Sequence, residues 1–198
     1  AIRAELDFTT EAEYTDLLRR NLQNSPWYDA NQIVIPEIVW ELTSPKLLVM
    51  EWLDGAPILT TDLVHTDTEA AAKARQAVTT LLFRVFFKQF FIDGFFHADP
   101  HPGNIFYLKD GRVALLDCGK MGRLDPRTRA TMTEMVLAIA SSDAQRCTQL
   151  TLKLAEPLEP PNLSKLESDF TRLMGRYYGL SLENLNTAEV FGEILEAG

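Results

Sequence analysis

Cysteine, histidine and basic residues are all scarce in this chain of 198 residues. The two cysteines, Cys118 and Cys147, are too few for a disulfide framework, so we expect an intracellular, reducing compartment. The 28 Asp and Glu residues outnumber the 19 Lys and Arg residues and give a net charge of −9. This surplus of negative charge argues against nucleic acid as a partner and disfavours an acidic membrane surface.

Long uninterrupted apolar segments are also missing. The most apolar stretch, residues 81–91, is broken by Arg84 and Lys88 and is shorter than a bilayer span, so we expect no transmembrane helix here. The sequence starts with Ala1 in place of an initiator Met and shows no signal peptide pattern, which suggests that it begins inside a longer protein. Membrane helices elsewhere in that protein, and its peripheral association with a membrane, are left open.

Helical periodicity is present over much of the chain, in which 46% of the residues are apolar and 24% are charged. It predicts a helix from Glu5 to about Asn24. A longer helix is predicted from an N-cap at Asp67 to about Asp93, with Gly94 as its stop. The later part of the chain predicts helices over residues 125–142, 143–155, 162–178 and 187–197.

Two segments of alternating apolar residues predict β-hairpins. The first covers residues 33–53 and is followed by turn-forming residues at 54–57. The second covers residues 105–116 and has an Asp-Gly turn. Together with the helices, the two hairpins predict an α+β chain whose site lies at a lobe junction.

Three oxygen-bearing side chains are spaced as phosphoryl transfer requires. Asp99 and Asn104 stand five positions apart after His97, and Asp117 ends the second hairpin. This H-x-D-x-x-x-x-N and D-x-G spacing provides a carboxylate that accepts a hydroxyl proton and two oxygen donors that bind a divalent cation. The hairpin brings positions 99 and 117 to the same end of the sheet. His97 is expected to order this loop by hydrogen bonding.

The run GFFHADPHPGN at residues 94–104 resembles the UbiB-like atypical protein kinases, a family linked to coenzyme Q and other isoprenoid quinone or lipid metabolism. Upstream, the segment from Glu5 to Phe8 is similar to the family's ExD motif, and residues 50–55 are similar to its hinge. Residues 115–119 continue the resemblance, which extends to about residue 124.

The resemblance implies a protein-kinase-like fold. Residues 1–54 would form a partial N-lobe with the ExD helix, a hairpin and the hinge, and residues 55–198 a mostly helical C-lobe. The opening N-terminal strands of the fold would be absent from this chain, and with them the Lys that binds the nucleotide phosphates.

The same resemblance assigns roles to individual residues. It implies Mg²⁺ held by Asn104 and Asp117, Asp99 positioning or deprotonating the acceptor, and Glu11 pairing with the phosphate-binding Lys. The backbone of Glu51, Trp52 and Leu53 would meet the adenine of ATP, and Glu5 and Asp7 form the ExD motif. A lipid or isoprenoid quinone precursor is implied as a partner. The parent protein would be an ATP-dependent atypical kinase or ATPase.

Two departures from the family pattern stand at the D-x-G segment. Cys118 takes the place of an aromatic residue, and Lys120 with Met121 takes the place of an apolar pair. The first departure leaves the metal-binding Asp117 in place. We expect no redox role for Cys118.

Two other functions remain open. The chain could be a non-catalytic pseudokinase module that binds a nucleotide or a lipid. More weakly, His97, Asp99 and His101 form an H-x-D-x-H pattern that could ligate zinc in a hydrolase. A stripe of phenylalanines favours a buried core over a lipid-contact surface: Phe83, Phe86, Phe87, Phe90, Phe91, Phe95 and Phe96.

Overall fold

The structure is a computed structural model that describes residues 7–26, 29–155 and 160–177. The chain divides into two compact units, one up to Arg123 and the other from Leu124. Glu5 and the helix predicted over 187–197 lie outside the described residues, and the lobe boundary after residue 54 stays a prediction. Among the described helices, none combines the length and hydropathy that a bilayer span needs.

The first helix, α1 (Phe8–Gln23), begins three residues later than the predicted start at Glu5. Asp7 is its N-cap, and the Asp7 carboxylate accepts a hydrogen bond of 3.0 Å from the backbone N–H of Thr9. The helix is amphipathic as predicted, because its buried residues recur at helical spacing: Ala12, Thr15, Leu18 and Leu22.

The first predicted hairpin is confirmed only in part. Strand β1 (Ile33–Val34) pairs with a strand much later in the chain, and Trp40–Leu42 forms a short 3-10 helix. Antiparallel pairing survives at the bridge between Ile38 and Met50 and at the turn that Ser44 and Leu47 close. The alternating pattern signalled apolar faces without selecting their strand partners.

The predicted turn at residues 54–57 is also wrong, because Gly55–Pro57 forms strand β2. A Cβ at residue 55 would lie 2.6 Å from the carbonyl oxygen of Tyr107 on the neighbouring strand. Glycine is therefore required by the close approach of two backbones.

Two helices follow, α2 (Asp62–His65) and α3 (Glu69–Lys88). The N-cap of α3 is Thr68, not the predicted Asp67, and its hydroxyl accepts a hydrogen bond of 3.2 Å from Ala71 N–H. The chain continues as a π-helical turn over Gln89–Asp93 and stops, as predicted, at Gly94, whose φ of 62° is left-handed.

The remaining strands are β3 (Phe95–His97), β4 (Ile105–Leu108), β5 (Val113–Leu115) and β6 (Met121–Arg123). The first sheet has the order β1-β5-β4-β2, with β1 and β5 parallel. The antiparallel β4–β5 pair confirms the second predicted hairpin. The antiparallel β3–β6 pair was not predicted, because two strands of three residues each are too short to show an alternating pattern.

The core of the first unit lies between α1, α3 and the four-stranded sheet. Phe95 is buried in it, Phe86 packs against it and Phe83 is exposed, so the phenylalanine stripe is only partly core. The buried members of this core are Leu18, Leu22, Ile33, Ile35, Leu63, Val78, Val85, Phe95, Ile105, Val113, Leu115 and Cys118.

The second unit contains helices α4 (Pro126–Ala140), α5 (Ala144–Leu154) and α6 (Leu163–Tyr177), close to three predicted segments. Asp125 and Asp143 cap the first two helices by accepting backbone N–H bonds. A small core forms around Ala138, Cys147 and Leu150. The helices and short strands together confirm the α+β class.

Candidate active site

Asp117 leaves the end of β5 in a strained backbone conformation. Its φ is 56°, in the left-handed region that residues other than glycine rarely occupy. Its Oδ1 accepts a hydrogen bond of 3.3 Å from Gly119 N–H, and the residue is exposed. Strain of this kind persists where the surroundings hold a side chain in place, and it is concentrated at functional sites.

Glu11 on α1 faces the same segment. A Cβ at residue 119 would lie 3.3 Å from Asp117 Oδ1, a tight distance, and 3.5 Å from Glu11 Oε2, an ordinary van der Waals contact, so Gly119 lies beside both carboxylates. Burial raises the pKa of Glu11, and the negative charge of Asp117 raises it further. The two side chains therefore form an anionic pair that a cation would stabilise.

His97 is buried at the end of β3 and organises the loop that follows. Its Nδ1 accepts a hydrogen bond of 3.2 Å from Asp99 N–H, which assigns the ring proton to Nε2, 3.3 Å from the carbonyl oxygen of Leu116. The Oε1 of Gln89 accepts a hydrogen bond of 2.8 Å from His97 N–H. The ring thus links the Asp99 loop to the chain just before Asp117.

Asn104 joins the same two segments. Its side-chain Nδ2 donates a hydrogen bond of 3.3 Å to the backbone carbonyl oxygen of Asp99, and its backbone carbonyl oxygen accepts one of 2.8 Å from Leu116 N–H. The structure therefore places Asn104 directly between Asp99 and the residue that precedes Asp117.

Lys120 is a site residue that the sequence did not single out as functional. Its Nζ lies 3.1 Å from Oδ2 of Asp99. The contact depends on the β3–β6 pair, which sets His97 opposite Met121. Without that pairing, the sequence signal was only a basic residue directly after the D-x-G segment.

The zinc alternative finds no support in the described part of the chain, where no three His, Cys, Asp or Glu side chains are grouped to hold a metal ion. Both ring nitrogens of His97 contact the backbone. His101 is exposed, and its Nδ1 accepts a hydrogen bond of 3.0 Å from Gly103 N–H.

Cys118 turns away from the carboxylates into the core, where it is 1% exposed. Burial raises the pKa of its thiol to about 12; a Thr15 hydrogen bond opposes this shift, and Glu11 and Asp117 add to it. The thiol is therefore protonated and unreactive at neutral pH.

The hinge residues and the ExD motif are placed as follows. Glu51 N–H donates a hydrogen bond of 2.7 Å to the carbonyl oxygen of Glu37, Trp52 is 87% exposed, and Leu53 is half-buried. Their contact with adenine stays a prediction. Asp7 caps α1.

Several known proteins are similar to this chain in sequence or in fold. Residues 1–151 match the ABC1 atypical kinase-like domain. The Synechocystis sp. protein slr0889 is 57% identical over 196 residues, covering 98% of this chain and 48% of that protein. A probable protein kinase UbiB of Azotobacter vinelandii is 37% identical over 153 residues, covering 74% of this chain and 26% of that protein.

The structure of the Rv3197–erythromycin complex from Mycobacterium tuberculosis superposes with a TM-score of 0.59. It is 22% identical, and the likeness covers 86% of this chain and 42% of that one. At this identity the likeness concerns the fold alone. The chain spans about half the length, or less, of these relatives.

Proposed function

The chain belongs to the ABC1 atypical kinase-like family. From its site we propose that it supplies the catalytic half of a protein that transfers the γ-phosphoryl group of Mg·ATP or hydrolyses ATP. The family match confirms the predicted resemblance and, with the structural likeness, the kinase-like fold. The reaction, the nucleotide and the residue roles below are our proposal.

One observation carries the proposal. Asn104 bonds at once to the carbonyl oxygen of Asp99 and to Leu116 N–H, beside the left-handed Asp117. A carboxylate and an amide oxygen are the hard donors that Mg²⁺ prefers, so Asn104 and Asp117 fit this ion and would hold it. When bound, Mg²⁺ neutralises charge on the phosphates.

Asp99 would act on the acceptor. Its carboxylate accepts the acceptor's hydroxyl proton while the acceptor oxygen bonds to the γ-phosphorus and the bond to the β-phosphate oxygen breaks, releasing ADP. With water as acceptor, the same step is ATP hydrolysis. His97 would be a positioning residue, because it holds the backbone N–H of Asp99.

Glu11 and the hinge complete the nucleotide site. The raised pKa of Glu11 beside Asp117 supports a role in which Glu11 orients a cation, as in the family's pairing of this Glu with a phosphate-binding Lys. The backbone of Glu51, Trp52 and Leu53 would meet the adenine.

We infer the acceptor class and the setting from what the resemblance to the UbiB-like family implies. The substrate or partner would be a lipid or an isoprenoid quinone precursor, in an intracellular, reducing compartment and with membrane association through the full-length protein.

The test is ADP release by the full-length protein. We expect Asp99→Asn to lower kcat by about 10²–10⁴-fold, the usual contribution of a positioned base, while ATP still binds. Asp117→Asn should weaken Mg²⁺-dependent ATP binding in calorimetry. Asp110→Asn is the matched control, since Asp110 is an exposed carboxylate paired with Arg112 at the turn between β4 and β5.

The outcomes separate the two functions that remain. Unchanged kcat in Asp99→Asn would contradict catalysis by this site. ATP binding without turnover in the wild type and in Asp99→Asn would identify a non-catalytic binding module. An unchanged Mg²⁺ titration in Asp117→Asn would remove the metal assignment.

A further inference from the structure

We propose that Lys120 binds the γ-phosphoryl group of the nucleotide, next to the carboxylate of Asp99. This inference rests on the proposed function, because it assigns one more residue to the same site. It goes beyond the motif residues, which include no cation from the D-x-G segment.

The backbone delivers Lys120 to this position. Strands β3 and β6 are antiparallel with His97 opposite Met121, and Ala98 N–H donates a hydrogen bond of 2.9 Å to the carbonyl oxygen of Lys120. Asp99 follows His97 by two residues, Lys120 directly precedes Met121, and the Asp99 carboxylate lies 3.1 Å from Lys120 Nζ. The strand pairing therefore brings the two side chains together.

The charge around Lys120 fits a phosphate ligand. Glu11, Asp99 and Asp117 are all acidic, and a polyphosphate entering such a site needs cations beside the metal ion. An ammonium group is a point charge with three donors that suits phosphate oxygens. Placed beside the base that receives the acceptor's proton, it would stabilise charge on the transferring group.

The exposure of the side chain permits this role. Lys120 is 71% exposed and its partner Asp99 is 43% exposed. The long stem of the Lys can swing its Nζ from the carboxylate to a nearby phosphate oxygen without leaving a buried charge behind.

A matched pair elsewhere in the first unit provides the control. Lys109 Nζ lies 2.9 Å from Asp54 Oδ2, and these side chains are 77% and 61% exposed. Lys109 follows β4 at the end remote from Asn104, so it shares the chemistry and exposure of Lys120 without the site.

The experiment measures the affinities of Mg·ATP and Mg·ADP by calorimetry in the full-length protein, for Lys120→Met, Lys120→Arg and Lys109→Met. Because a hydrogen bond to a charged group is worth at least a factor of ten, we expect Lys120→Met to weaken ATP binding about tenfold and ADP binding less than about twofold. Lys120→Arg should restore most of the ATP affinity, and Lys109→Met should change neither.

Equal losses for ATP and ADP in Lys120→Met, or no loss for either, would overturn the assignment. The ratio of the two affinities needs no turnover, so it decides the role of Lys120 even where ADP release fails. Conversely, loss of ADP release in Asp99→Asn with an unchanged affinity ratio in Lys120→Met would keep the proposed function and remove Lys120 from it. A wild type that binds neither nucleotide would overturn both.

Discussion

Two Lys–Asp pairs of the first unit have the same chemistry and opposite surroundings. Lys88 Nζ contacts both carboxylate oxygens of Asp93, at 2.6 and 2.7 Å, and the carbonyl oxygen of Asn21 at 3.0 Å. These side chains are only 4% and 11% exposed, whereas those of Lys120 and Asp99 are 71% and 43% exposed.

The difference assigns different roles to the two pairs. The buried pair links the end of α1 to the π-helical turn after α3, and removing either charge would leave the other buried without its counter-charge. The exposed pair contributes little to stability and can exchange partners with a ligand. A buried pair thus fixes the scaffold, while an exposed pair at the site stays available for chemistry.

The largest effect is expected from breaking the buried pair. Asp93→Asn leaves the Lys88 ammonium buried without its counter-charge and should lower the free energy of unfolding by about 3–5 kcal/mol. The same substitution in the exposed pair, Asp99→Asn, should change it by less than about 0.5 kcal/mol.

Urea unfolding followed by tryptophan fluorescence measures this contrast, because Trp40 and Trp52 both belong to the first unit. Similar free energies of unfolding for the two variants would show that burial does not distinguish the pairs.

A smaller effect is expected where the buried and exposed sides of the D-x-G segment meet. Cys118 points into the core, so Cys118→Phe overpacks it and should cost about 1–3 kcal/mol of stability. Cys118→Val is the control of similar volume and should cost less than about 1.5 kcal/mol. The same urea titration measures the stability of both variants. A Cys118→Phe variant as stable as the wild type would contradict close packing around Cys118.

The smallest effect concerns the anionic side of the site. A raised pKa means that the charged form of Glu11 is penalised in the folded state, so Glu11→Gln should raise Tm at pH 7 by about 1–2 °C. The penalty disappears as pH falls through the raised pKa, because folded Glu11 then takes up a proton. The gain in Tm should therefore vanish below the ordinary carboxyl pKa.

Calorimetric melting of the wild type and of Glu11→Gln, from pH 7 to below the ordinary carboxyl pKa, checks the prediction. Glu13→Gln, at an exposed position of the same helix, is the matched control and should leave Tm at pH 7 unchanged. A Glu11→Gln gain that persisted unchanged at low pH would point to a cause other than the carboxyl charge.

Local signals predicted a large part of the fold. The β4–β5 hairpin is closed by Asp110 and Gly111, whose φ is 89°, and such a reversal needs only neighbouring residues. Gly94 stops the long helix for a similarly local reason. The spacing of Asp99, Asn104 and Asp117 predicted that their segments lie close together, because a short loop and a hairpin join them along the chain.

Other features depend on residues far apart in the sequence. Ile33 pairs with Val113, and Phe95 pairs with Arg123, although strands of two or three residues carry too short a pattern to select a partner. Many partners are compatible with so short a pattern, and the choice among them follows from burying the whole core together.

The amino-acid order alone therefore specified the helices, the local turns and the spacing of the acidic and amide side chains. Folding in three dimensions decided which strands pair, and through β3 and β6 it brought Lys120 to Asp99. It also decided that Lys88 is buried and Lys120 is exposed, because burial is a property of the packed neighbours and not of the residue type.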